Sequence, residues 1–255
     1  MIGNPVGFRT LLTKECKRFW SVLAQTVTAP VITALLYLLV FAQAMKGRAP
    51  VYPGVGYTEF LVPGLVMMTV IQNAFANTSS SVIQSKMMGN LVFLMMAPLG
   101  AFEWFAAYVI AAIARCGLVA LAMLAATLPF VSLPLNAPLV LIAVFLLASA
   151  SLAVLGLIAA ILAQKFDHIA AFTNFFITPL SFLSGVFYTV HALPPFWFHA
   201  SHFNPFFYMI DGFRYGFFGA ADVNPWMSVL WCSGFLVTAS AVCLWMLATG
   251  YKMRR

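Results

Sequence analysis

Residues 138–163 read PLVLIAVFLLASASLAVLGLIAAILA, an unbroken apolar run without a charged side chain. A helix needs about 20 predominantly apolar residues to cross the hydrocarbon core of a bilayer. This stretch is long enough to do so, and a helix that is apolar on every side is either buried in the core of a large protein or spans a membrane. The run therefore indicates a membrane-spanning helix and sets the fold class of the chain.

The composition extends that conclusion to the whole sequence. Of 255 residues, 63% are hydrophobic and 7% are charged, with 13 Lys and Arg against 6 Asp and Glu. A soluble domain carries about 25% charged residues, so this chain could not cover a soluble surface. A soluble globular protein, a disordered chain and a disulfide scaffold are excluded. With about 20 residues in each span, the length accommodates roughly six spans.

We predict an all-α polytopic membrane protein whose residues 1–255 form one transmembrane domain. Residues 1–21 are predicted to form an amphipathic interfacial helix, because basic and apolar side chains fall largely on different sides. The stretch 90–98 is apolar but too short to cross a bilayer, which suits an interfacial or docking helix. The six predicted spans are 22–45, 58–83, 104–128, 138–163, 169–190 and 226–249.

Residues 191–225 differ from the rest of the chain. They contain four prolines, and 14 of the 37 residues from Phe182 to Phe218 are aromatic. Aromatic rings favour the membrane interface, and broken helix at membrane depth is tolerated where protein shields it. We predict a re-entrant helical pair in this outer segment, before the last span.

The distribution of Lys and Arg predicts the orientation. With the N-terminus inside, nine basic residues face the cytoplasm and three face outward, so both termini are predicted to be cytoplasmic. The net charge of +7 does not indicate nucleic acid, because the basic residues flank apolar runs. The inner set is Arg9, Lys14, Lys17, Arg18, Lys86, Lys165, Lys252, Arg254 and Arg255, and the outer set is Lys46, Arg48 and Arg214.

Four polar side chains stand out within the predicted spans. Arg115 is the single charge of the third and fourth spans, and a buried intramembrane charge is costly enough to suggest function. Gln72, Asn73 and Asn77 make the second span unusually polar. Such residues either line a translocation path or hydrogen-bond neighbouring helices, and both interpretations remain open.

Catalytic signals are missing from the sequence. It contains no Gly-rich phosphate loop ending in Lys-Ser or Lys-Thr, so hydrolysis of ATP by the usual P-loop route is excluded. No Ser-His-Asp or two-carboxylate constellation stands out, and the four cysteines lack metal-ligand spacing. We therefore predict a protein that is not an enzyme, with no catalytic, cofactor or metal site. Asp211 and Arg214 are spaced to form an ion pair along one helical turn.

The segment from Ile177 to Arg214 resembles the signature of type-2 ATP-binding cassette (ABC) transporter permeases. The stretch from Phe60 to Ser81, which begins FLVPGL, resembles the YadH-like branch of that family. Order and number of spans agree with the family along essentially the full chain. The signature positions include Leu193, Pro194, Pro205, Tyr208 and Arg214.

The resemblance implies the transmembrane subunit of an exporter in a bacterial cytoplasmic (inner) membrane. Two permease copies would form the path, and separate ATPase subunits would bind ATP and Mg²⁺. The segment between the second and third spans would be the coupling helix that docks on the ATPase. The family usually carries charge early in this helix, but here it has none, so docking would rest on apolar contacts. The docking residues would be Asn90, Leu91, Phe93, Leu94, Ala97 and Pro98.

Within this scheme we predict path and mouth residues. Arg115, Gln72, Asn73 and Asn77 are placed near the path, and its outer mouth is predicted at Phe187, Tyr188 and Trp197. The expected partners are an ABC ATPase, a second copy in a homodimer and membrane lipids, without nucleic acid. One alternative is an ion-coupled secondary transporter, which would need mid-span carboxylates, whereas all six acidic residues fall near interfaces or loops. The other is a non-transporting membrane assembly protein.

Overall fold

The computed structural model describes residues 4–44 and 50–252. Apart from one isolated bridge between Tyr52 and Val55, the regular structure in these ranges is helical. Residues 1–3, 45–49 and 253–255 lie outside the described residues. Four basic residues used to predict the orientation lie there: Lys46, Arg48, Arg254 and Arg255.

Eleven α-helices follow one another in the described ranges. A π-helical turn at Thr173–Ile177 joins α7 to α8, and a 3-10 turn at Val190–Ala192 precedes α9. The α-helices are α1 (Pro5–Ser21), α2 (Leu23–Ala44), α3 (Tyr57–Met87), α4 (Asn90–Met96), α5 (Ala101–Thr127), α6 (Pro138–Leu162), α7 (Phe166–Phe172), α8 (Thr178–Phe182), α9 (Pro195–His202), α10 (Pro205–Phe218) and α11 (Pro225–Thr249).

Five of these helices are long and apolar enough to cross a membrane: α2, α3, α5, α6 and α11. They coincide with five of the six predicted spans, with differences of a few residues at their ends. α1 occupies the described part of the predicted interfacial helix, and α9 and α10 form a helical pair within residues 191–225. The hydropathy pattern therefore located the five long helices, whereas the interfacial position of α1 and the re-entrant character of α9 and α10 stay predictions.

The predicted fifth span at 169–190 is not one of these five long helices and stays a prediction, and its helical run has other bounds than predicted. The helical run starts earlier, at Phe166, contains the π turn and ends at Phe182. Pro179 has no N–H to donate along the helix, and the wide π turn lies directly before it. Beyond α8 the chain turns at Gly185, whose φ of +75° is in the left-handed region that favours glycine. Residues 183–190 stay largely apolar, so hydropathy alone extended the span past this turn.

α3 and α6 form the centre of the bundle. α3 packs against α2, α5, α6 and α10, and α6 also packs against α11. The two central helices approach closely at Gly156, where an added Cβ would lie 2.5 Å from the carbonyl oxygen of Phe75 and would overlap Thr78. Thr78 Oγ1 donates a hydrogen bond to the Ala153 carbonyl oxygen at 2.7 Å. A small residue thus lets a polar interhelical bond form inside the bundle.

The bundle has two distinct ends. α1, α4 and the start of α5 lie together at one, where the backbone N–H of Asn4 donates to the Glu103 carboxylate. We call this the α1 end. The loops 50–56 and 128–137 lie with α9 and α10 at the other, where the Ala137 N–H donates to the Gly216 carbonyl at 2.9 Å. We call this the α10 end.

Candidate functional site

One face of α3 is left uncovered by the rest of the chain. α3 is the most enclosed of the five long helices, yet a stripe of residues recurring every three or four positions stays partly or fully exposed. Residues at this spacing lie on one side of a helix. All but one are polar. The stripe consists of Thr69, Gln72, Asn73, Ala76, Ser80 and Gln84, and we call it the open α3 face.

Arg115 of α5 reaches the edge of the open α3 face. Its Nη2 donates to Asn73 Oδ1 at 3.2 Å, and its Nη1 donates to Asn77 Oδ1 at 3.1 Å. Both acceptors are neutral amides, and no carboxylate in the described ranges forms an ion pair with Arg115. Three of the four predicted path residues are therefore in contact, and Gln72 lies beside Asn73 on the same face. That they line a path stays a prediction.

A second guanidinium reaches the same place from α1. Arg18 Nη2 donates to the main-chain oxygen of Asn77 at 2.7 Å and to its Oδ1 at 2.8 Å. Arg18 Nε also donates to Glu15 Oε2 at 3.1 Å, and the Glu15 side chain is completely buried. Ser81 Oγ donates to the same carboxylate oxygen at 2.7 Å, and Lys14 Nζ lies 3.2 Å from Oε1. The Glu15 carboxylate thus forms ion pairs with two cations, Lys14 and Arg18.

Glu15 and Arg18 are site residues that the sequence pattern did not single out. Their basic and apolar neighbours indicate an interfacial helix with solvated charges, but the Glu15 carboxylate is buried against α3. The spacing of three residues between an acid and an arginine on one helix is the signal that could have found the pair. The partner helix could not be deduced, since Asn77 is 59 residues away.

α4 presents an uncharged apolar surface at the α1 end. Leu91 is buried and anchors the helix, whereas Phe93 is 72% exposed and Met96 is 76% exposed. Single exposed apolar residues are ordinary, but a contiguous group of this kind marks an interaction site. The group, which we call the α4 patch, consists of Met87, Met88, Val92, Phe93, Met95 and Met96.

The predicted docking segment is longer than the helix that the structure contains. α4 ends at Met96, and Ala97 and Pro98 continue in extended and irregular conformation toward α5. Asn90 is exposed at the start of the helix and Leu94 is half-buried. A contact surface on α4 would therefore be formed by its exposed methionines and Phe93 rather than by Leu91.

The three predicted mouth residues have different environments. Phe187 packs in an aromatic cluster, 5.1 Å from the ring of Phe41 and 5.6 Å from that of Tyr37. Tyr188 donates its hydroxyl to the Phe182 carbonyl oxygen at 3.1 Å. Trp197 of α9 is half exposed. Phe187 thus holds α2 against the turn after α8, whereas Trp197 has a free surface.

The signature residues hold the segment before the last span in place. Pro194 and Pro205 stand at the starts of α9 and α10, where a missing N–H costs nothing. Tyr208 donates its hydroxyl to the His202 carbonyl oxygen at 2.9 Å, and its ring stacks on Trp231 of α11. Leu193 packs against the larger hydrophobic core. These contacts are structural.

The prediction of an ion pair between Asp211 and Arg214 is wrong. Arg214 is buried, donates to the Gly185 carbonyl oxygen at 3.0 Å and lies 3.7 Å from the centre of the Phe60 ring. Asp211 instead accepts the backbone N–H groups of Asp222 and Val223, at 2.9 and 3.0 Å. Each charged group found backbone partners contributed by distant segments, which a helical spacing rule cannot foresee.

Burial changes the acidity of Asp211. Desolvation of its carboxylate, opposed by the backbone donors and Arg214, raises the pKa of Asp211 to about 6. Asp222 beside it accepts from the Tyr52 hydroxyl at 2.8 Å and the Val190 N–H at 2.9 Å. The two aspartates therefore tie α10 to the loops of the α10 end.

A bundle of long apolar helices, a polar open α3 face with an intramembrane arginine and an apolar α4 patch are together typical of membrane transport subunits. The chain belongs to the ABC-2 type transporter family, whose model matches residues 6–218. Over 218 residues it is 38% identical to the inner membrane transport permease YadH of Escherichia coli strain K12. The aligned region covers 86% of this chain and 85% of the relative. The YadH permease of Shigella flexneri gives the same values. The chain is therefore a multi-pass membrane transport permease of the inner-membrane type, and the predicted family is confirmed.

Proposed function

We propose that this permease is the transmembrane subunit of an ATP-driven exporter. Two copies form the translocation path along their open α3 faces, and separate ATPase subunits dock on the α4 patches. The ATPase partners bind ATP and Mg²⁺, and this chain contributes the path. The observation that carries the proposal is the polar open α3 face in the middle of an otherwise apolar bundle.

The open α3 face is unsuited to contact with lipid. Amides and hydroxyls exposed to hydrocarbon lose their hydrogen bonds to water, at a cost of several kcal/mol for each unsatisfied group. Most exposed residues of α2 and α11, among them Leu39 and Val237, are apolar, and the exposed hydroxyls of Thr33 and Thr238 donate to carbonyl oxygens of their own helices. A polar stripe on α3 is stable if it faces water in a path or polar groups of a second copy. Both conditions are met in a dimer with a central path.

Arg115 supports the same arrangement. Its guanidinium is held by the neutral amides of Asn73 and Asn77 at the border of the open α3 face. A charge with amide partners only is costly in hydrocarbon and is stabilised beside water. Arg115 therefore lies at the wall of the path in our proposal, with Gln72 nearer the centre.

The α4 patch supports docking of a separate subunit. Its side chains are apolar and exposed, and they follow one another along the chain from the last residue of α3 to the end of α4, at the α1 end of the bundle. Since the positive-inside rule places that end in the cytoplasm, a soluble ATPase can reach it. Movement of α4 would act directly on α3. A movement of α1 would reach Asn77 of α3 through the hydrogen bonds from Arg18.

The ion-coupled alternative gains one candidate from the structure. A secondary transporter needs a carboxylate that binds and releases ions, and Glu15 is buried against the membrane helices. However, Lys14 and Arg18 lie within ion-pair distance of it and Ser81 donates to it. The carboxylate is thus already engaged by two cations and a hydroxyl, which opposes a role as the binding group for a coupling ion.

The proposed docking is tested by co-purification with candidate ABC ATPase subunits, measured as ATP hydrolysis in the purified complex. Phe93→Asp should abolish both association and stimulated hydrolysis. Phe130→Asp is the matched control, because Phe130 is 70% exposed at the α10 end. Equal loss in both variants, or transport by the permease alone under a proton gradient, would refute the proposal.

The proposed path is tested by cysteine accessibility in a Cys16→Ser background, since the other three cysteines are buried. Ala76→Cys on the open α3 face should react with a water-soluble thiol reagent or crosslink to its symmetry mate in membranes. Val237→Cys is the control, being 66% exposed on α11. Reaction at Val237→Cys without reaction or crosslinking at Ala76→Cys would show that α3 faces lipid.

A further inference from the structure

A cavity of about 690 Å³ lies at the α10 end, between α2, the first turn of α3 and the loop that follows α5. No residue of the open α3 face or of the α4 patch lines it. Leucines of α2 make one side of the cavity apolar, and its polar groups come from α3 and the loop. The leucines are Leu35, Leu38 and Leu39, and the polar groups belong to Thr58, Glu59 and Ser132.

Glu59 is the acidic group of this cavity. Its Oε2 accepts the backbone N–H of Gly56 at 3.0 Å, and its Oε1 accepts the Ser132 hydroxyl at 3.1 Å. Both donors are neutral, and within residues 4–44 and 50–252 no cation lies within ion-pair distance of this carboxylate. A carboxylate has about four acceptor positions, so about two remain free. In the described part of the chain, Glu59 thus offers the cavity a negative charge without a countercharge.

The lengths of the helices place the cavity at the border of the hydrocarbon core. α3 has 31 residues and α5, which ends at Thr127, has 27 residues. About 20 residues cross the core, so the first turn of α3, which contains Glu59, reaches the headgroup region. Leu35 and Leu39 belong to the apolar stretch Leu23–Phe41 of α2. The carboxylate therefore lies at headgroup level and the leucines lie at hydrocarbon depth.

The cavity is open on its lipid side. Leu39 lines it and is 65% exposed. Together with α11, α2 is the least enclosed of the five long helices. A molecule dissolved in the bilayer can therefore enter from the side, with its apolar part along α2.

These groups select a ligand that carries both an ammonium and a hydrocarbon chain. An ammonium donates charged hydrogen bonds to a carboxylate, which are roughly twice as strong as neutral ones. The leucines favour hydrocarbon. A headgroup with a phosphate but no ammonium is disfavoured, since no cation of the described lining offsets its repulsion from Glu59. A phospholipid whose headgroup ends in a primary ammonium satisfies these conditions.

We propose that this cavity binds an ethanolamine phospholipid. Its ammonium donates to the Glu59 carboxylate, and its phosphate accepts from the Thr58 hydroxyl, which forms no side-chain hydrogen bond within the described ranges. One acyl chain lies along the leucines, so the lipid joins α2 to the start of α3. The volume is within the range of ordinary ligand pockets, about 300–1,000 Å³. The inference requires a membrane protein, but neither a translocation path nor ATPase docking.

Delipidated permease in neutral detergent, without ATPase, is titrated with dioleoyl phosphatidylethanolamine, and bound lipid is counted by native mass spectrometry. Glu59→Gln should weaken binding about tenfold, because a charged hydrogen bond becomes a neutral one. The side-chain oxygen of glutamine can still accept the Gly56 N–H, so the start of α3 is preserved. Glu103→Gln is the matched control: Glu103 accepts the Gly100 N–H at 2.8 Å at the start of α5, but it lies at the α1 end, outside the cavity.

Two matched ligands separate the ammonium from the chains. Dioleoyl phosphatidylcholine has the same chains and phosphate, but its methylated nitrogen has no N–H to donate, so it should bind about fivefold more weakly. This difference should shrink in Glu59→Gln, because both lipids then meet a neutral amide. Glycerophosphoethanolamine, which has the headgroup without acyl chains, should not displace the lipid at equal concentration.

Three outcomes would overturn the inference. Equal weakening by Glu59→Gln and Glu103→Gln would show that the loss reflects helix capping rather than contact with the lipid. Equal binding of the two dioleoyl lipids would show that the ammonium is not recognised. Displacement of the lipid by tetraphenylphosphonium at equal concentration would assign the cavity to a hydrophobic cation. Because lipid is counted on the permease alone, failure of ATPase docking or of transport leaves this measurement unaffected.

Discussion

Arg18 and Arg115 donate to the same oxygen, Oδ1 of Asn77, although Arg18 lies on the N-terminal helix α1 and Arg115 in the middle of α5. The distances are 2.8 and 3.1 Å. A single neutral amide therefore separates two guanidinium groups. α1 is thereby linked to the open α3 face, so that a displacement of α1 acts on the residues of the proposed path.

The first prediction concerns that amide. Asn77→Leu removes the acceptor for both arginines, and we expect the free energy of unfolding to fall by about 1–3 kcal/mol. Asn77→Asp should instead preserve or raise it, because a carboxylate supplies a countercharge and Asn77 Nδ2 is a buried donor without a partner in the described ranges. Thermal unfolding in detergent compares the two. Lower stability of the Asp variant would show that the two guanidinium groups gain nothing from a countercharge at this position.

The second prediction concerns Glu15. Glu15→Gln leaves Lys14 and Arg18 without their countercharge, so the free energy of unfolding should fall by about 1–3 kcal/mol. This is less than for a fully buried pair, because both cations remain partly exposed to solvent. Asp167→Asn is the matched control at an exposed carboxylate. Chemical denaturation of both variants in detergent measures the difference, and equal stability of the two would show that Glu15 contributes no more than a surface charge.

The third prediction concerns the contact between α3 and α6. Gly156→Val places a side chain against the Phe75 carbonyl oxygen and Thr78, and the resulting displacement of the two helices should cost about 3 kcal/mol or more. Gly234→Ala is the control, because a Cβ there meets nothing within 4 Å. That change should raise stability slightly through helix propensity. Size-exclusion chromatography after heating reports both, and a stable monodisperse Gly156→Val protein would disprove the tight contact.

The fourth prediction is a pH dependence. The folded pKa of Asp211 is about 6, above the value of about 4 for an exposed aspartate. The folded state therefore holds this proton more tightly, and its contribution to stability is fully present below pH 4 and is lost as the pH rises through 6. The loss amounts to about 2–3 kcal/mol.

Asp211→Asn cannot ionise and should remove that part of the dependence. Melting temperatures of the wild type and the variant between pH 4 and 7 measure it, with Asp167→Asn as the exposed control. Parallel pH profiles for the wild type and Asp211→Asn would show that another group is responsible.

The positions of the helices followed from the sequence to a large extent. Apolar length located α2, α3, α5, α6 and α11, because the hydrocarbon core imposes the same minimum length on every span. The π turn and the end of α8 at Phe182 were not predictable in this way, since hydropathy stays high through the turn at Gly185. The proline that marks the break, Pro179, is tolerated in membrane helices and gave no clear stop.

The candidate site was predictable only in part. Arg115, Asn73 and Asn77 stand out because polar groups are rare in spans, and the structure brings them together. Glu15 and Arg18 did not stand out, because charged residues are ordinary in an interfacial helix. The spacing of Asp211 and Arg214 predicted an ion pair, whereas backbone groups of other segments form hydrogen bonds with each of them.

The sequence by itself determined that this is a membrane protein, where its five long apolar helices lie, and that α4 is apolar and too short to span. These properties depend on composition and local period, which are fixed before any helix meets another. Only the tertiary structure decided which face of α3 stays open and which partner each buried charge finds. Asn77 meets Arg18 from 59 residues away and Arg115 from 38 residues away. Such contacts are set by the packing of α1, α3 and α5, which no local pattern encodes.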